Sequence, residues 1–175
     1  MLKKKEILFS KDEIDDAVLN IAQKVSEEFS GGELLIVGVL KGAFIFMADL
    51  IRKIHDVDIV VDFVVLRSYG SSTASSGEVQ VVKDLHWPVE GKDVLVVEDI
   101  VDTGLTLKFF KDQLLRRGPK SVRICALLDK RERREVEIDI DYLGLLMDDG
   151  FVVGYGLDCD ENYRNLPEIW LLEEE

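Results

Sequence analysis

Hydrophobic residues follow two different spacings along the chain. Over residues 14–29 they recur every three or four positions with charged residues between them, which predicts an amphipathic helix. Ser10 and Glu13 form a capping-box pattern at its start, and the pair Gly31-Gly32 ends it. Residues 34–40 are instead apolar throughout, which is typical of a strand that is buried on both faces.

The same two spacings divide the rest of the chain into alternating elements. Further helices are predicted at about 44–55 and at 105–116, and further strands at 59–66, 79–85, 93–98, 121–128, 142–146 and 151–155. Residues 67–77, rich in Ser and Gly, are predicted to form a loop, and residues 173–175 a solvated tail. Strands that alternate with helices predict an α/β domain with a mostly parallel central sheet flanked by helices. Ligands of such domains bind outside the carboxyl ends of the strands, where the polar segments 40–42, 98–106 and 129–130 are expected.

Composition narrows the class of protein without identifying its chemistry. The length of 175 residues fits a single domain, and 35 acidic against 22 basic residues give a net charge of −13. Because general nucleic-acid binding relies on Lys and Arg that neutralise phosphates, this charge weighs against a nucleic-acid partner. No signal peptide is recognisable and no apolar stretch approaches the roughly 20 residues of a membrane span, so a cytoplasmic protein without membrane contact is expected. Two cysteines without paired spacing and two scattered histidines predict neither a disulfide nor a histidine metal site.

The segment 94–106, VLVVEDIVDTGLT, carries most of the candidate chemistry. An apolar strand ends in the adjacent carboxylates Glu98 and Asp99, and a turn that begins at Asp102 and contains Gly104 then leads into a helix. Backbone N–H groups at such a turn form an anion-binding nest, and the positive end of the helix dipole adds to the attraction. Carboxylates beside a phosphate nest indicate a ligand with hydroxyl and phosphate groups, or a bridging Mg2+.

Other interpretations of this segment stay open on the residues alone. A helix N-terminus favours Asp and Thr for stability without any ligand. The P-loop pattern GxxxxGK[ST] and the dinucleotide pattern GxGxxG after a strand are both absent, so neither of those nucleotide-binding classes has support.

Five segments in order resemble the hypoxanthine-guanine branch of the type I phosphoribosyltransferases. VVEDIVDTGLT is similar to the signature that binds 5-phosphoribosyl-1-pyrophosphate (PRPP). VGVLKGAFIFMADLIR is similar to the pyrophosphate-loop region, and RSYGSSTASSGEV is similar to the flexible active-site loop. LLDKRERREV is similar to the purine-contact strand end, and FVVGYGLDCDENYRNLP is similar to the C-terminal purine and metal segment. The resemblance implies the type I fold, with a small hood and a flexible loop, in a single phosphoribosyltransferase domain over residues 1–175.

The resemblance also implies an activity, a cofactor and a role for each matching residue. The activity is purine salvage, which makes IMP or GMP plus pyrophosphate from hypoxanthine or guanine and PRPP with Mg2+, in a homodimer or homotetramer. The implied PRPP contacts are Glu98, Asp99, Asp102, Thr103, Gly104, Leu105 and Thr106, with pyrophosphate contacts at Lys41, Gly42 and Arg164. The implied purine contacts are Lys130, Phe151, Val152 and Asp158, the flexible-loop residues are Ser68 and Tyr69, and the metal ligands are Glu98, Asp99 and Asp158. Asp102 matches the proposed acid/base near purine N7, although a role limited to orienting the base and stabilising positive charge stays open.

Lys130 is the residue that separates the candidate bases. A lysine donor suits a 6-oxo group and not the 6-amino group of adenine, which offers no acceptor there. The competing interpretations are a basic surface turn for Lys130, a core aromatic for Phe151 and a solvated lysine for Lys41. The sequence departs from the family pattern at 147–150 and at Leu105, which blurs the base preference. A phosphoribosyltransferase for another base and an RNA-binding regulator on the same fold remain the rival functions, the second opposed by the net charge.

Overall fold

Two β-sheets organise residues 2–68 and 79–174, the part of the chain that the computed structural model describes. The strands are β1 (Leu2–Phe9), β2 (Glu33–Leu40), β3 (Asp58–Ser68), β4 (Val79–Lys83), β5 (Asp93–Val101), β6 (Ser121–Lys130), β7 (Tyr142–Met147), β8 (Phe151–Val153) and β9 (Ile169–Glu174). The helices are α1 (Lys11–Phe29), α2 (Phe44–Ile51) and α3 (Leu105–Leu115), and a 3-10 helix spans Arg131–Arg133. This alternation confirms the predicted α/β class.

The larger sheet has six strands in the order β4-β3-β2-β5-β6-β7. Strands β3, β2, β5, β6 and β7 run parallel, and β4 pairs antiparallel with β3 at one edge. The predicted mostly parallel sheet is therefore confirmed. Because β2, β5 and β6 are parallel neighbours, the segments that follow them emerge at one edge of the sheet.

The central strand β2 packs against helices on both of its faces. Leu34 and Ile36 belong to a hydrophobic layer shared with α1 and α2, whereas Leu35 and Val37 belong to a layer shared with Phe110 of α3. Successive side chains of a strand point to opposite faces, so an uninterrupted apolar run is what two covered faces require. Each such side chain that is removed from water contributes about 1.5–3 kcal/mol to folding.

The first helix begins as its sequence predicts. The hydroxyl of Ser10 accepts a hydrogen bond from the backbone N–H of Glu13 at 3.3 Å, and the Glu13 carboxylate accepts one from the Ser10 N–H at 2.9 Å. These two bonds satisfy N–H groups that a helix end otherwise leaves unpaired. None of the helices within residues 2–68 and 79–174 has both the length and the hydropathy needed to cross a membrane.

The smaller sheet combines the two ends of the described chain with a strand from its middle. Its order is β1-β9-β8, with both pairs antiparallel, and it corresponds to the hood that the resemblance implied. Neither β1 nor β9 was predicted, and the expected tail is instead a strand up to Glu174, which pairs with Leu2, although Glu173 is exposed as predicted. Strand pairing uses backbone groups, so charged residues at 173 and 174 can join a sheet while Ile169 and Leu172 supply its buried side.

Some predicted boundaries also need correction. Strand β5 continues to Val101 and β6 to Lys130, beyond their predicted ends at 98 and 128, because Ile100 pairs with Leu128 and Val101 with Asp129. Helix α2 ends at Ile51 rather than near residue 55. The strand therefore continues beyond the carboxylates at 98 and 99 instead of ending at them.

Candidate active site

Two adjacent cavities lie at the carboxyl edge of the larger sheet. The loop cavity, of about 190 Å³, is lined by Glu98, Ile100, Val101, Asp102, Thr103, Gly104, Thr106 and Leu107. The Lys130 cavity, of about 270 Å³, is lined by Asp99, Ile100, Asp102, Lys130, Arg133, Gly150, Phe151, Val152, Leu157 and Asp158. Asp102 lines both cavities, so it stands between the predicted PRPP-binding loop and the predicted purine contacts.

The loop of residues 102–106, here the 102–106 loop, offers its backbone to an anion. Gly104 precedes α3 with a left-handed φ of 83°, and Leu105 is the first residue of the helix. The first turn of α3 contains no acidic residue, its N-cap residue Gly104 has no side chain, and the Leu105 N–H makes a long hydrogen bond of 3.4 Å to the Thr103 hydroxyl. The helix dipole and the other N–H groups of this end therefore remain available to a phosphate.

Residues 134–136 donate hydrogen bonds to the carbonyl groups of Asp102 and Thr103 in this loop. The Nε of Arg134 donates to the Asp102 carbonyl at 3.1 Å, and the N–H groups of Glu135 and Val136 donate to the Thr103 carbonyl at 2.9 and 3.3 Å. A Cβ at Gly104 would approach the Arg134 Cδ to 3.0 Å, so glycine is needed here for packing as well as for its φ.

Arg134 is itself fixed by a buried carboxylate. Asp129, only 3% exposed, accepts from the guanidinium of Arg134 and from the Nε of Arg131 at 2.9 Å. The Arg134 side chain is 19% exposed and that of Arg131 is 68% exposed. The 102–106 loop is therefore supported by the ion pair between Asp129 and Arg134, which lines neither the loop cavity nor the Lys130 cavity.

The carboxylate of Asp102 is only partly paired. Its Oδ2 lies 3.2 Å from Nη1 of Arg133, whereas its Oδ1 is buried and has no hydrogen-bond partner among the residues that the structure describes. A buried oxygen without a partner is unfavourable unless a ligand supplies a donor. This position suits a group that accepts a proton from a bound base.

Lys130 is buried rather than part of an exposed basic turn. Its Nζ donates to the carbonyl of Gly150 at 2.8 Å and pairs with the Asp149 carboxylate at 2.9 Å. The hydrogen bond from Lys130 holds the pKa of Asp149 below its usual range. Phe151 is 49% exposed, so the core-aromatic interpretation of this residue is wrong, and its ring borders the cavity together with the buried Val152.

Glu98 and Asp99 lie side by side in β5 but line different cavities. Loss of hydration raises the pKa of both carboxyls, and the neighbouring Asp99 raises that of Glu98 further. A poorly hydrated carboxyl beside a like charge favours its protonated form, so a cation that stabilised both charges would lower the two pKa values again.

Three segments pack closely around Asp99. A Cβ at Gly42 would overlap the Asp99 carboxylate, and a Cβ at Gly156 would overlap the Gly42 carbonyl oxygen. The peptide bond between Leu40 and Lys41 is cis. Gly42 is therefore held directly against one of the predicted PRPP-binding carboxylates.

A charged cluster joins the predicted pyrophosphate contacts. Glu161 Oε2 lies 2.9 Å from Lys41 Nζ and 3.3 Å from Arg164 Nη2, and Asp158 Oδ1 lies 2.9 Å from the same guanidinium. Arg164 Nη1 donates to the Gly156 carbonyl at 2.8 Å. Its Nε is buried and has no partner within the described ranges. The structure thus brings Lys41, Asp158 and Arg164 together.

Sequence comparison identifies the family. Residues 8–160 match the phosphoribosyl transferase domain. The chain belongs to the phosphoribosyltransferase family. It is 45% identical over 173 residues to the hypoxanthine-guanine phosphoribosyltransferase of Aquifex aeolicus, a match that covers 98% of this chain and 97% of that protein. It is 47% identical over 170 residues to the bifunctional protein TilS/HprT of Listeria monocytogenes, covering 97% of this chain but only 26% of that relative's length.

A solved structure agrees with this assignment. A hypoxanthine phosphoribosyltransferase from Staphylococcus aureus superposes with a TM-score of 0.93 at 44% identity, over 97% of this chain and 92% of that one. The predicted membership of the hypoxanthine-guanine branch and the predicted type I fold are confirmed.

The donor set fits a magnesium ion that is held partly by substrate. Within residues 2–68 and 79–174, no group of three His, Cys, Asp or Glu side chains could hold a metal ion alone. Mg2+ commonly binds through one or two carboxylates together with substrate phosphates and water. Glu98, Asp99 and Asp158 can supply such carboxylates without forming a complete protein cage.

Some site residues were missed from the sequence, and others lie outside the described residues. No role was predicted for Arg133, Arg134, Asp149 or Glu161, because their contacts join parts of the chain that are separated in sequence. Asp129 was expected at the ligand-binding edge of the sheet, but its ion pair with Arg134 was not predicted. The one available signal was the acidic residue at 129 before a run of arginines. Of the predicted flexible-loop pair, Ser68 ends β3, and Tyr69 lies outside the described residues.

Proposed function

We propose that this chain transfers the phosphoribosyl group of PRPP to hypoxanthine or guanine, forming IMP or GMP and pyrophosphate. The observation that carries the proposal is the position of Asp102. Its partly paired carboxylate lines both the cavity of the 102–106 loop and the cavity of Lys130. A phosphate-binding loop and a base site that meet at a proton acceptor are what this transfer requires.

The base is recognised by donors and a stacking surface. The Nζ of Lys130 donates a hydrogen bond to O6 of the purine. To do so, it gives up one of its contacts with the Asp149 carboxylate and the Gly150 carbonyl. Phe151 stacks on the ring, because nearly half of its surface is open. The backbone of Val152 contacts the edge of the base. A lysine donor selects 6-oxopurines over adenine.

PRPP binds to the remaining groups of the site. The N–H groups from Thr103 to Thr106 bind the 5′-phosphate, and Lys41 and Arg164 bind the pyrophosphate. Glu98, Asp99 and Asp158 hold Mg2+ and the ribose hydroxyls. When bound, Mg2+ neutralises charge on the pyrophosphate leaving group.

The reaction exchanges one bond at C1′ for another. Purine N9 attacks C1′ with its lone pair, the C1′–O bond breaks, and its electron pair leaves with pyrophosphate. The proton on N7 passes to the free Oδ1 of Asp102. The alternative is that Asp102 only orients the base and offsets its positive charge. Ser68 and Tyr69 are proposed to belong to the loop that closes over the reacting atoms and excludes water.

The assembly and the location of the protein are part of the same proposal. We propose a single catalytic domain over residues 1–175, a homodimer or homotetramer, and a cytoplasmic enzyme that acts on small molecules.

Steady-state turnover with PRPP and Mg2+ tests the activity, with hypoxanthine, guanine, xanthine and adenine compared in parallel. Turnover of hypoxanthine or guanine that disappears on chelation of Mg2+ is the expected result. Equal or faster turnover of adenine would contradict the role of Lys130, and no turnover with any base would contradict the proposed function.

A further inference from the structure

Glu161 places a carboxylate between the two cations that are proposed to bind pyrophosphate. Its Oε2 lies 2.9 Å from Lys41 Nζ and 3.3 Å from Arg164 Nη2. Lys41 is 120 positions away in the sequence, so the contact is made by the fold and not by local spacing. One oxygen therefore occupies donors that a phosphate oxygen of the ligand needs.

The backbone around Glu161 holds this carboxylate in place. Asp160, Glu161 and Tyr163 all have positive φ values of 50°, 65° and 75°, and the N–H of Glu161 donates to Asp158 Oδ2 at 2.8 Å. Non-glycine residues seldom adopt this conformation, and three within four positions indicate a turn that the surrounding structure imposes. The turn directs Glu161 toward the two cations.

The two cations depend on Glu161 to different extents. Within the described ranges, Glu161 is the one carboxylate paired with Lys41, and both side chains are 64% exposed. Arg164 is 18% exposed and also contacts Asp158 and the Gly156 carbonyl, while its buried Nε has no partner in the same ranges. Releasing Glu161 to water would leave Arg164 oriented and free to donate to an incoming anion. Exposed ion pairs are weak enough to exchange.

We propose that Glu161 is an internal anion that occupies the pyrophosphate site of the ligand-free protein and is displaced when PRPP or pyrophosphate binds. This inference rests on the proposed function, because it takes Lys41 and Arg164 as the pyrophosphate contacts. The competing carboxylate lowers the affinity for pyrophosphate and returns as the product leaves. Glu161 thus sets how readily the leaving group is released.

Binding of inorganic pyrophosphate in the presence of Mg2+, measured by calorimetry on the full chain, tests the proposal. Removing the competing charge in Glu161→Gln is expected to tighten binding about 3- to 10-fold, the effect of one or two exposed ion pairs. The matched control is Asp160→Asn, which removes the same charge one residue away. The Asp160 carboxylate forms no hydrogen bond or ion pair with any described residue, and only its carbonyl accepts from Asn162.

The outcomes separate this inference from the proposed function. Tighter binding in Glu161→Gln than in Asp160→Asn supports the internal anion, and Glu161→Asp, with the charge kept and the reach shortened, should lie between wild type and Glu161→Gln. Equal or weaker binding in a Glu161→Gln protein of unchanged melting temperature would overturn it, even if the wild type turns over hypoxanthine. If the wild type neither binds pyrophosphate nor turns over any base, the proposed function fails and the inference fails with it.

Discussion

The two anion-binding regions at the sheet edge are built in opposite ways. The 102–106 loop presents backbone N–H groups at a helix end with no acidic residue in its first turn, and residues 134–136 hold its carbonyls. The other region presents the side chains of Lys41 and Arg164, with Glu161 already between them. One region is fixed and open to an anion, and the other contains an anion of its own.

This difference matches what each region must do in the proposed reaction. The 5′-phosphate stays on the ribose from substrate to product, so a fixed cradle is useful throughout the cycle. Pyrophosphate must bind and then leave, so donors that exchange between a ligand and an internal carboxylate allow release. A preorganised site avoids the cost of ordering, whereas an exchangeable site avoids retaining its product.

The largest expected effect comes from the carboxylate that the 102–106 loop positions. Asp102→Ala removes the proton acceptor and should lower kcat by about 10²- to 10⁴-fold. Asp102→Asn keeps the shape without the basic oxygen and should lose nearly as much. Steady-state kinetics of both proteins, with circular dichroism to verify folding, measure the effect. Near-normal turnover of Asp102→Asn would instead favour the role that only orients the base.

A second test adds one methyl group next to Lys41, in the region that is proposed to bind pyrophosphate. Gly42→Ala places a Cβ against the Asp99 carboxylate, so either the loop or the carboxylate must shift. A displacement of about 1 Å in a binding group can lower kcat/KM by roughly 100-fold. The control is Gly32→Ala, whose Cβ would meet only the Phe29 carbonyl at 3.3 Å, at the opposite end of β2 from Lys41. Full activity in Gly42→Ala would show that this packing is not needed.

A third test weakens the support of the 102–106 loop without changing the residues that are proposed to bind the phosphate. Arg134→Met removes the hydrogen bond to the Asp102 carbonyl and one partner of Asp129, so the KM for PRPP should rise about 10-fold. Arg131→Met is the matched control, because Arg131 shares Asp129 but is exposed and donates nothing to the loop. The comparison measures KM for PRPP and the melting temperature of both proteins. If the two variants raise KM equally, the tie to Asp102 is not what fixes the loop.

The smallest expected effect concerns an exposed ion pair that lies outside both anion-binding regions. The hydrogen bonds from Arg117 hold the pKa of Asp84 below its usual value of 3.8, with bond lengths of 2.8 and 2.9 Å. A carboxyl whose pKa is lowered by folding stabilises the fold fully above pH 3.8 and loses this contribution as the pH falls through its lowered value. Asp84→Asn should therefore lower the melting temperature at pH 7 by no more than about 2–4 °C.

The two proteins should converge in melting temperature as the pH drops below 3.8, a convergence that scanning calorimetry at a series of pH values can follow. Affinity for pyrophosphate should not change in Asp84→Asn. A change there comparable to that of Glu161→Gln would mean that net charge, and not the contact with Lys41, governs affinity.

The parts of the site that follow from local pattern could be predicted from the sequence. The strand and helix around Asp102 are specified by an apolar run, a glycine and an amphipathic stretch that are contiguous in the chain. The helix start at Ser10 follows from two residues three positions apart. The assignment of Lys130 required its resemblance to a known family, since a lysine among arginines otherwise suggests a surface turn.

The remaining contacts depend on how distant elements come together. Asp149 reaches Lys130 because β6 and β7 are neighbours, and Glu161 reaches Lys41 across 120 positions. Strand β9 was missed because its hydrophobic pattern ends in acidic residues, although its backbone pairs with β1. Sequence spacing does not encode which strands are adjacent, so these contacts had to come from the fold.

The close packing at Gly42 has a consequence for how this site can vary among relatives. Positions 42, 99 and 156 come from separate stretches of the chain but share one small volume. A side chain at position 42 fits only if the residue at 99 becomes smaller or the loop or carboxylate shifts, and one at 156 fits only if the backbone at 42 moves. These three positions should therefore covary, so a family member that departs from glycine at one of them should carry a compensating change at another.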